Sequence, residues 1–403
     1  MGPLAGLRVI DMTSVVSGPY TTLLLGDYGA DVIKIEAPEG DVVRQAGPGR
    51  HQGMGALFLN ANRSKRSITL DVKHQLGRDV VLRLAETADI LIYNMRPAAM
   101  ARLGLAYEPL AARNNRLIYA GVFGYGQDGP YAAKPAYDDL IQGAASVPYL
   151  FSRAGTPHPL YMPSAMADRV TGLFALSAIL AAVVERTRSG QGQRVDVPMF
   201  ESMVNFIMSD HLGGLTFEPP LDAGGYARQL SPQRRPYKTR DGYICTLLYT
   251  DAHWERFFAA VGQADTFRQD QRFSSFAARM AHIDDVYKTV SDILLHKTTK
   301  EWIEILETAD IPVMPMHDFN SLLEDPHLVA TNYFSSVLHP TEGEIKEMAV
   351  PTKFFRTPAQ SKCPAPQQGQ HGHEILHEAG YTEMEIETLA AHKVWQPTAQ
   401  ETT

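Results

Sequence analysis

Short apolar runs alternate with helical periods through residues 7–123, and that order leaves few architectures open. Residues 7–11 (LRVID) read as a buried strand. Ser17-Gly18-Pro19 then turns into an apolar helix over 20–28, Gly29-Ala30 closes it, and residues 31–36 (DVIKIE) form the next strand. Strand, helix and strand within about 30 residues make a βαβ unit, with parallel strands and a right-handed crossover. The order repeats, with residues 66–71 extended, 74–87 an amphipathic helix, and 89–94 and 117–123 further strands. The expected fold class is α/β, a doubly wound parallel sheet (Rossmann-like) in a large domain, and such sheets take ligands at the carboxyl ends of their strands.

The loops at those ends are residues 14–18, residues 37–44, Asn94-Met95-Arg96-Pro97 and Gly124-Tyr125-Gly126. No GxGxxG follows the first strand and no GxxxxGK[ST] occurs anywhere, so the fingerprints of NAD and ATP sites are missing. Phosphates would have to be met by Arg96, Arg102, Lys73 and loop amides, and any one of these cations could equally be a solvated surface group.

Residues 163–188 (PSAMADRVTGLFALSAILAAVVERTR) predict a helix opened by Ser164. From Gly172 to Val184 it is apolar on nearly every side, which describes a helix buried in a large core, and the run is short of the roughly 20 residues of a membrane span. Asp168 falls in the first turn, where backbone N–H groups and the helix dipole keep an acid ionised. An acid there is ordinary, since it offsets the dipole by about 0.3–1 kcal/mol. What points to chemistry is its company: the small residues Ala165, Ala167 and Gly172 let another backbone or a ligand come close.

The domains expected are a large one over 1–212, a linker over 213–236 rich in Gly, Pro, Arg and Gln, and a smaller α/β domain over 237–324. A second irregular linker covers 325–367, and a helical segment over 368–403 completes the large domain, with a capping box at Thr382 to Glu385. Residues 396–403 read as a frayed tail. A net charge of −8 without a long basic run excludes nucleic acid as the main partner, and no membrane partner is expected. Cys245 and Cys363 lie far apart without ligand spacing, so neither a disulfide framework nor a zinc site follows. His371 and His373 form an HGH, a metal cue that ordinary exposed histidines at a helix start also produce, and no metal is expected. The N-terminal residues run straight into a strand without a signal-peptide pattern, so the cytoplasm is the expected compartment.

Several strings, in order along the chain, carry a resemblance: DMTSVVSGPYTTLLLGDYGADVIKIEAPEGD, NANRSKRSITLDVK, NMRPAAMARLGL, YDDLIQGAAS, MADRVTGLFALSAILAAVVERTRSGQGQRVDVPMFE, RPYKTRDGY and GHEILHEAGYTEMEI. Together they resemble the family III CoA-transferases, the CaiB/BaiF group. The resemblance implies an interlocked homodimer in which long linkers close each chain into a ring around its partner. It implies acyl-CoA and carboxylate substrates, no permanently bound cofactor, and a coenzyme A that comes and goes as substrate. It places Asp168 at the catalytic aspartate and Tyr137 at a tyrosine near the thioester. Leu70, Lys73, Asn94, Met95 and Arg102 match motif positions that contact CoA. Many relatives carry an arginine where this chain has Ala37, which leaves Arg44 as the substitute cation, and Val16 stands where a formyl-transferring branch has glutamine. The racemase branch carries histidine at the position of Tyr137, so an acyl-CoA racemase is the second expectation, with His158 as the nearest spare histidine. A CoA-binding accessory protein without catalysis is the third.

Overall fold

The computed structural model describes residues 2–396; the expected tail over 396–403 lies outside them but for its first residue. Six parallel strands form one sheet: β1 (Arg8–Met12), β2 (Asp31–Glu36), β3 (Lys65–Thr69), β4 (Ile90–Tyr93), β5 (Ile118–Phe123) and β6 (Arg194–Pro198). Their order is β3-β2-β1-β4-β5-β6, with Val9 paired to both Val32 and Ile90. This is the doubly wound order, and its direction reverses between β1 and β4, where a crevice opens at the carboxyl ends. The helices that matter below are α1 (Ser17–Asp27), α2 (Gln75–Ala85), α3 (Pro97–Arg102), α4 (Asp138–Ala144), α5 (Met166–Ser189), α6 (Gly372–Glu378) and α7 (Glu383–Ala391).

Strand residues alternate between two cores. Ile10, Ile33, Ile68 and Leu91 face Val80, Val81 and Leu84 of α2 together with Ile375, Leu376, Ile386 and Leu389 of α6 and α7. Val9, Val32, Ile92 and Ile118 face Leu24 and Leu25 of α1 and Ala175, Leu176 and Ile179 of α5. Burial on both faces is why the strands read as nearly continuous apolar runs.

Helix α5 runs for 24 residues, close to the 163–188 span that the sequence predicts, but by length and composition it is apolar enough to cross a membrane, which the 172–184 run alone does not suggest. It is not buried all round: Ala167, Thr171, Gly172, Ala175, Leu176, Ile179 and Ala182 form a buried stripe on the sheet side, while Leu173 and Val184 are 50% and 59% exposed. Gly172 permits the tight packing of α1, since a Cβ there would lie 3.0 Å from the carbonyl oxygen of Ser17, and its own carbonyl accepts the Thr21 hydroxyl at 3.1 Å.

The chain divides into two units, and their bounds differ from those expected. The first takes residues 1–145, 163–206 and 327–403; the second takes 146–162 and 207–326. The expected large domain over 1–212 therefore loses 146–162 and 207–212 to the second unit, and most of the expected second linker belongs to the first unit. That stretch is not wholly irregular, because Phe334–His339 and Gly343–Met348 pair as an antiparallel hairpin. The second unit holds a three-stranded antiparallel sheet of Tyr237–Lys238, Tyr243–Thr246 and Val313–Pro315. Its core is aromatic, built on Trp254, Phe257, Phe258, Phe273 and Trp302.

Candidate active site

Two adjoining cavities occupy the crevice between β1 and β4. One of about 180 Å³ is lined by Met12, Ile35, Leu70, Val72 and Met95 among others. The other, of about 290 Å³, is lined by Ser14, Val15, Ser17, Asn94, Arg96, Lys134, Tyr137, Asp138 and Asp168, and the two share Ser14 and Met95.

The floor between them is the loop after β1, and every residue of it is pinned. Lys34 donates to the carbonyl of Thr13 at 2.9 Å. Asn94 grips Ser14 from both sides, accepting its N–H at 3.1 Å and donating to its carbonyl at 2.7 Å. Asp41 accepts the N–H of Val15 at 3.1 Å and the ammonium of Lys34 at 3.0 Å. These bonds hold Val15 at φ +73°, a conformation that costs a β-branched residue on the order of 1–3 kcal/mol.

Beneath the loop lies a buried ionic network. Asp11 accepts from Thr22 at 2.6 Å and Lys65 at 3.1 Å, and Lys65 also reaches Asn62 at 2.8 Å. Burial alone would raise the Asp11 carboxyl, but the Lys65 and Lys34 cations and the Thr13 and Thr22 hydroxyls overcome it and hold the group at about 2. A charge inside an apolar strand run is the signal that could have exposed Asp11 and Lys34; Lys65 opens a polar strand, KRSIT, and carries no such signal.

Asp168 sits where α5 starts, against the N terminus of α1. Its backbone N–H donates to Asp138 Oδ1 at 3.0 Å, and Asp138 Oδ2 accepts from Gln142 at 2.6 Å. Tyr137 precedes Asp138 as the N-cap residue of α4 and is 69% exposed. Burial and then the Asp138 charge push the Asp168 carboxyl up to about 6, while the Ser17 hydroxyl, the Arg169 guanidinium and the Ser17 N–H pull the other way. The expectation that the helix start simply keeps this acid ionised is corrected: desolvation and a like charge outweigh the dipole. Above about pH 6 it is still a carboxylate, with N–H and O–H donors beside it and a cavity in front of it.

The structure brings Asp168, Tyr137, Asn94 and Met95 to one cavity, with Leu70 and Met95 lining the next. Lys73 and Arg102 are exposed and line neither cavity. Arg44 is a different case. Its guanidinium forms a two-pronged pair with Glu36 at 2.7 Å in each bond, donates to the carbonyls of Gly53 and Pro366, and stacks 3.7 Å from the Phe58 ring centroid. With all its donors engaged and only 4% of its surface exposed, it holds the fold together and is not available to a phosphate. Val16 is likewise buried at the start of α1, and its neighbours Ser14 and Val15 take the lining position. His158 is an exposed residue of the second unit. The sequence reading gave no role to Asp138, Ser17 or Lys134; Lys134 lies over the ring of Tyr131 at 3.7 Å.

Comparison with known proteins speaks to the chain as a whole. The model of the family described as CoA-transferase family III matches residues 4–372. An acyl-CoA transferase of Fusarium pseudograminearum is 32% identical, over 97% of this chain and 87% of that protein. A succinate–glutarate CoA-transferase of Agrobacterium fabrum is 32% identical, over 93% of this chain and 95% of its own. The crystal structure of a CaiB/BaiF family protein from Brucella suis superposes with a TM-score of 0.79 at 29% identity, over 94% of this chain and 99% of that one.

Proposed function

The chain belongs to CoA-transferase family III, and from that premise we propose that it moves CoA from an acyl-CoA thioester to a carboxylic acid through covalent intermediates on Asp168. The observation that carries the proposal is a carboxylate in a cavity continuous with the crevice of a doubly wound sheet. A carboxylate oxygen of Asp168 attacks the thioester carbonyl, and the C–S bond breaks to give a mixed anhydride and CoA thiolate. The thiolate attacks the aspartyl carbonyl of that anhydride, releasing the donor acid and leaving an aspartyl-CoA thioester. The acceptor carboxylate then attacks the aspartyl carbonyl to form a second anhydride and free the thiolate once more. Attack of the thiolate on the acceptor acyl carbon yields the new acyl-CoA and restores Asp168. The N–H and hydroxyl of Ser17 beside Asp168 are proposed to hold the oxyanion on the aspartyl side, and the half-buried setting is proposed to limit the access of water to the anhydride.

CoA is a substrate in this scheme and no cofactor stays bound. Its adenine and pantetheine are proposed to pack on Leu70 and Met95, with Lys73, Arg102 and Arg96 proposed to meet its phosphates. The acid is proposed to be a dicarboxylate, because Arg96 and Lys134 line the Asp168 cavity and can meet a second carboxylate, and because succinyl-CoA transferases stand among the relatives. The assembly is proposed to be a homodimer, which would cover the apolar face that Leu173 and Val184 present. The cytoplasm is its proposed compartment, in keeping with the unpaired thiols of Cys245 and Cys363.

Racemisation is the weaker reading. It needs a second acid–base group opposite Asp168, and no histidine lines the cavity among the described residues. The test is a panel of donor thioesters and mono- and dicarboxylate acceptors, read by mass spectrometry. CoA transfer to a dicarboxylate supports the proposal. Exchange of the α-proton in deuterated water without an acceptor would establish the racemase instead, and CoA binding with neither reaction would leave an accessory protein.

A further inference from the structure

The HGH motif resolves into two unlike histidines. His371 is tied to β3, its ring Nδ1 accepting the N–H of Ser67 at 3.2 Å. His373 lies one residue inside α6 and shares a helix face with His377, four positions on, their rings 5.2 Å apart. Both direct Nε2 at a single carboxylate: His373 at Oε2 of Glu383, 3.1 Å away, and His377 at Oε1, 2.6 Å away. Glu383 is the first residue of α7. Its backbone is set by the Gly380 turn at φ +79° and by the capping box in which Thr382 and Glu385 bond each other reciprocally.

We propose that His373, His377 and Glu383 form a binding site for a zinc-class divalent cation that ties α6 to α7. The donor set is two imidazoles and a carboxylate, which suits Zn²⁺ with water completing the shell. Tetrahedral bonds of about 2.0–2.1 Å put donors roughly 3.3 Å apart. The three donor atoms here all lie within 4.8 Å of one another, so small movements of half-exposed side chains are enough. In the absence of a cation each Nε2 holds a proton toward the carboxylate. Coordination needs each Nε2 free of its proton, the neutral ring keeping its proton on Nδ1, and replaces two hydrogen bonds with three metal bonds. The site lies on the C-terminal helices that cover the α2 face of the sheet, and none of its residues lines the Asp168 cavity. Its role is to brace that layer.

The test uses the full chain, without an affinity tag and stripped by a chelator, titrated with Zn²⁺ by calorimetry at neutral pH. One Zn²⁺ per chain is expected, bound about tenfold or more weakly in His377→Ala and in Glu383→Gln, and not at all in the His373→Ala/His377→Ala double variant. The His373 ring is 6.3 Å from that of Trp395, so Cu²⁺ at this site is expected to quench Trp395 emission in the wild type and not in the double variant. CoA transfer is expected at the same rate in all of them, which separates this result from any failure of the catalytic proposal. Zinc affinity and copper quenching indifferent to these substitutions, or no zinc bound by the wild type, would overturn the assignment.

Discussion

Asp138 and Asp168 stand 30 residues apart in sequence, yet a carboxylate oxygen of the first accepts the backbone N–H of the second at 3.0 Å. One contact therefore does two things. It fixes the start of α5, and it sets a negative charge beside the carboxyl proposed as nucleophile.

The first consequence concerns pH. Asp168 must be ionised to attack, and its pKa of about 6 predicts a rate that rises through that pH and levels above it. Asp138→Asn keeps an oxygen for the Asp168 N–H and removes the like charge, so the acid limb of kcat/KM is expected to move to lower pH. A limb that stays in place would mean that Asp138 is not the neighbour that matters.

The second concerns stability. Asp168 has a folded pKa of about 6 against an ordinary value of 3.8. Its contribution is therefore full below about pH 3.8 and lost as pH rises through about 6. Asp168→Asn is expected to abolish transfer and, at about pH 8, to unfold at higher urea, by about 1–3 kcal/mol. That advantage should shrink as the pH falls below about 6. Urea melts across the range read it directly.

The third concerns the loop after β1. Asp41→Asn removes the partner of buried Lys34 and loosens the hold on Val15, at an expected cost of about 3 kcal/mol with a raised KM for acyl-CoA. Val15→Gly relieves the positive φ, so it should cost little in the wild type and recover part of the loss in the Asp41→Asn background. Additive effects of the two substitutions would show that Asp41 does not support that conformation.

The fourth concerns the contact of α1 with α5. In Gly172→Val the added side chain meets the carbonyl of Ser17 and the Tyr20 ring, which must move apart. A loss of about 2–3 kcal/mol is expected, with a lower kcat because Ser17 shifts relative to Asp168. Unchanged stability would contradict the close packing.

Much of this was legible before any coordinates. Strands with two buried faces announce themselves as apolar runs, and Asp168 stands out because small residues surround it at a helix start. Pairings across the chain were not legible. Nothing near Arg44 says that Glu36 takes both prongs of its guanidinium, so a cation near a strand end read as a phosphate contact. Val15 and Val16 are chemically alike, and only the backbone turn at Val15 decides which of them faces the cavity. The hairpin of Phe334–His339 and Gly343–Met348 read as irregular because its residues are mostly half-buried or exposed, which leaves little apolar contrast along it. The raised pKa of Asp168 was hidden for a like reason: burial causes it first, and then Asp138, which lies on another helix.

Covalent trapping tests the central claim most directly. The enzyme is incubated with succinyl-CoA, quenched with hydroxylamine, digested and sequenced by mass spectrometry. The account predicts a hydroxamate on Asp168 that requires the thioester and is missing from Asp168→Asn. Full transfer activity in Asp168→Asn, or a label on any other residue, would contradict it.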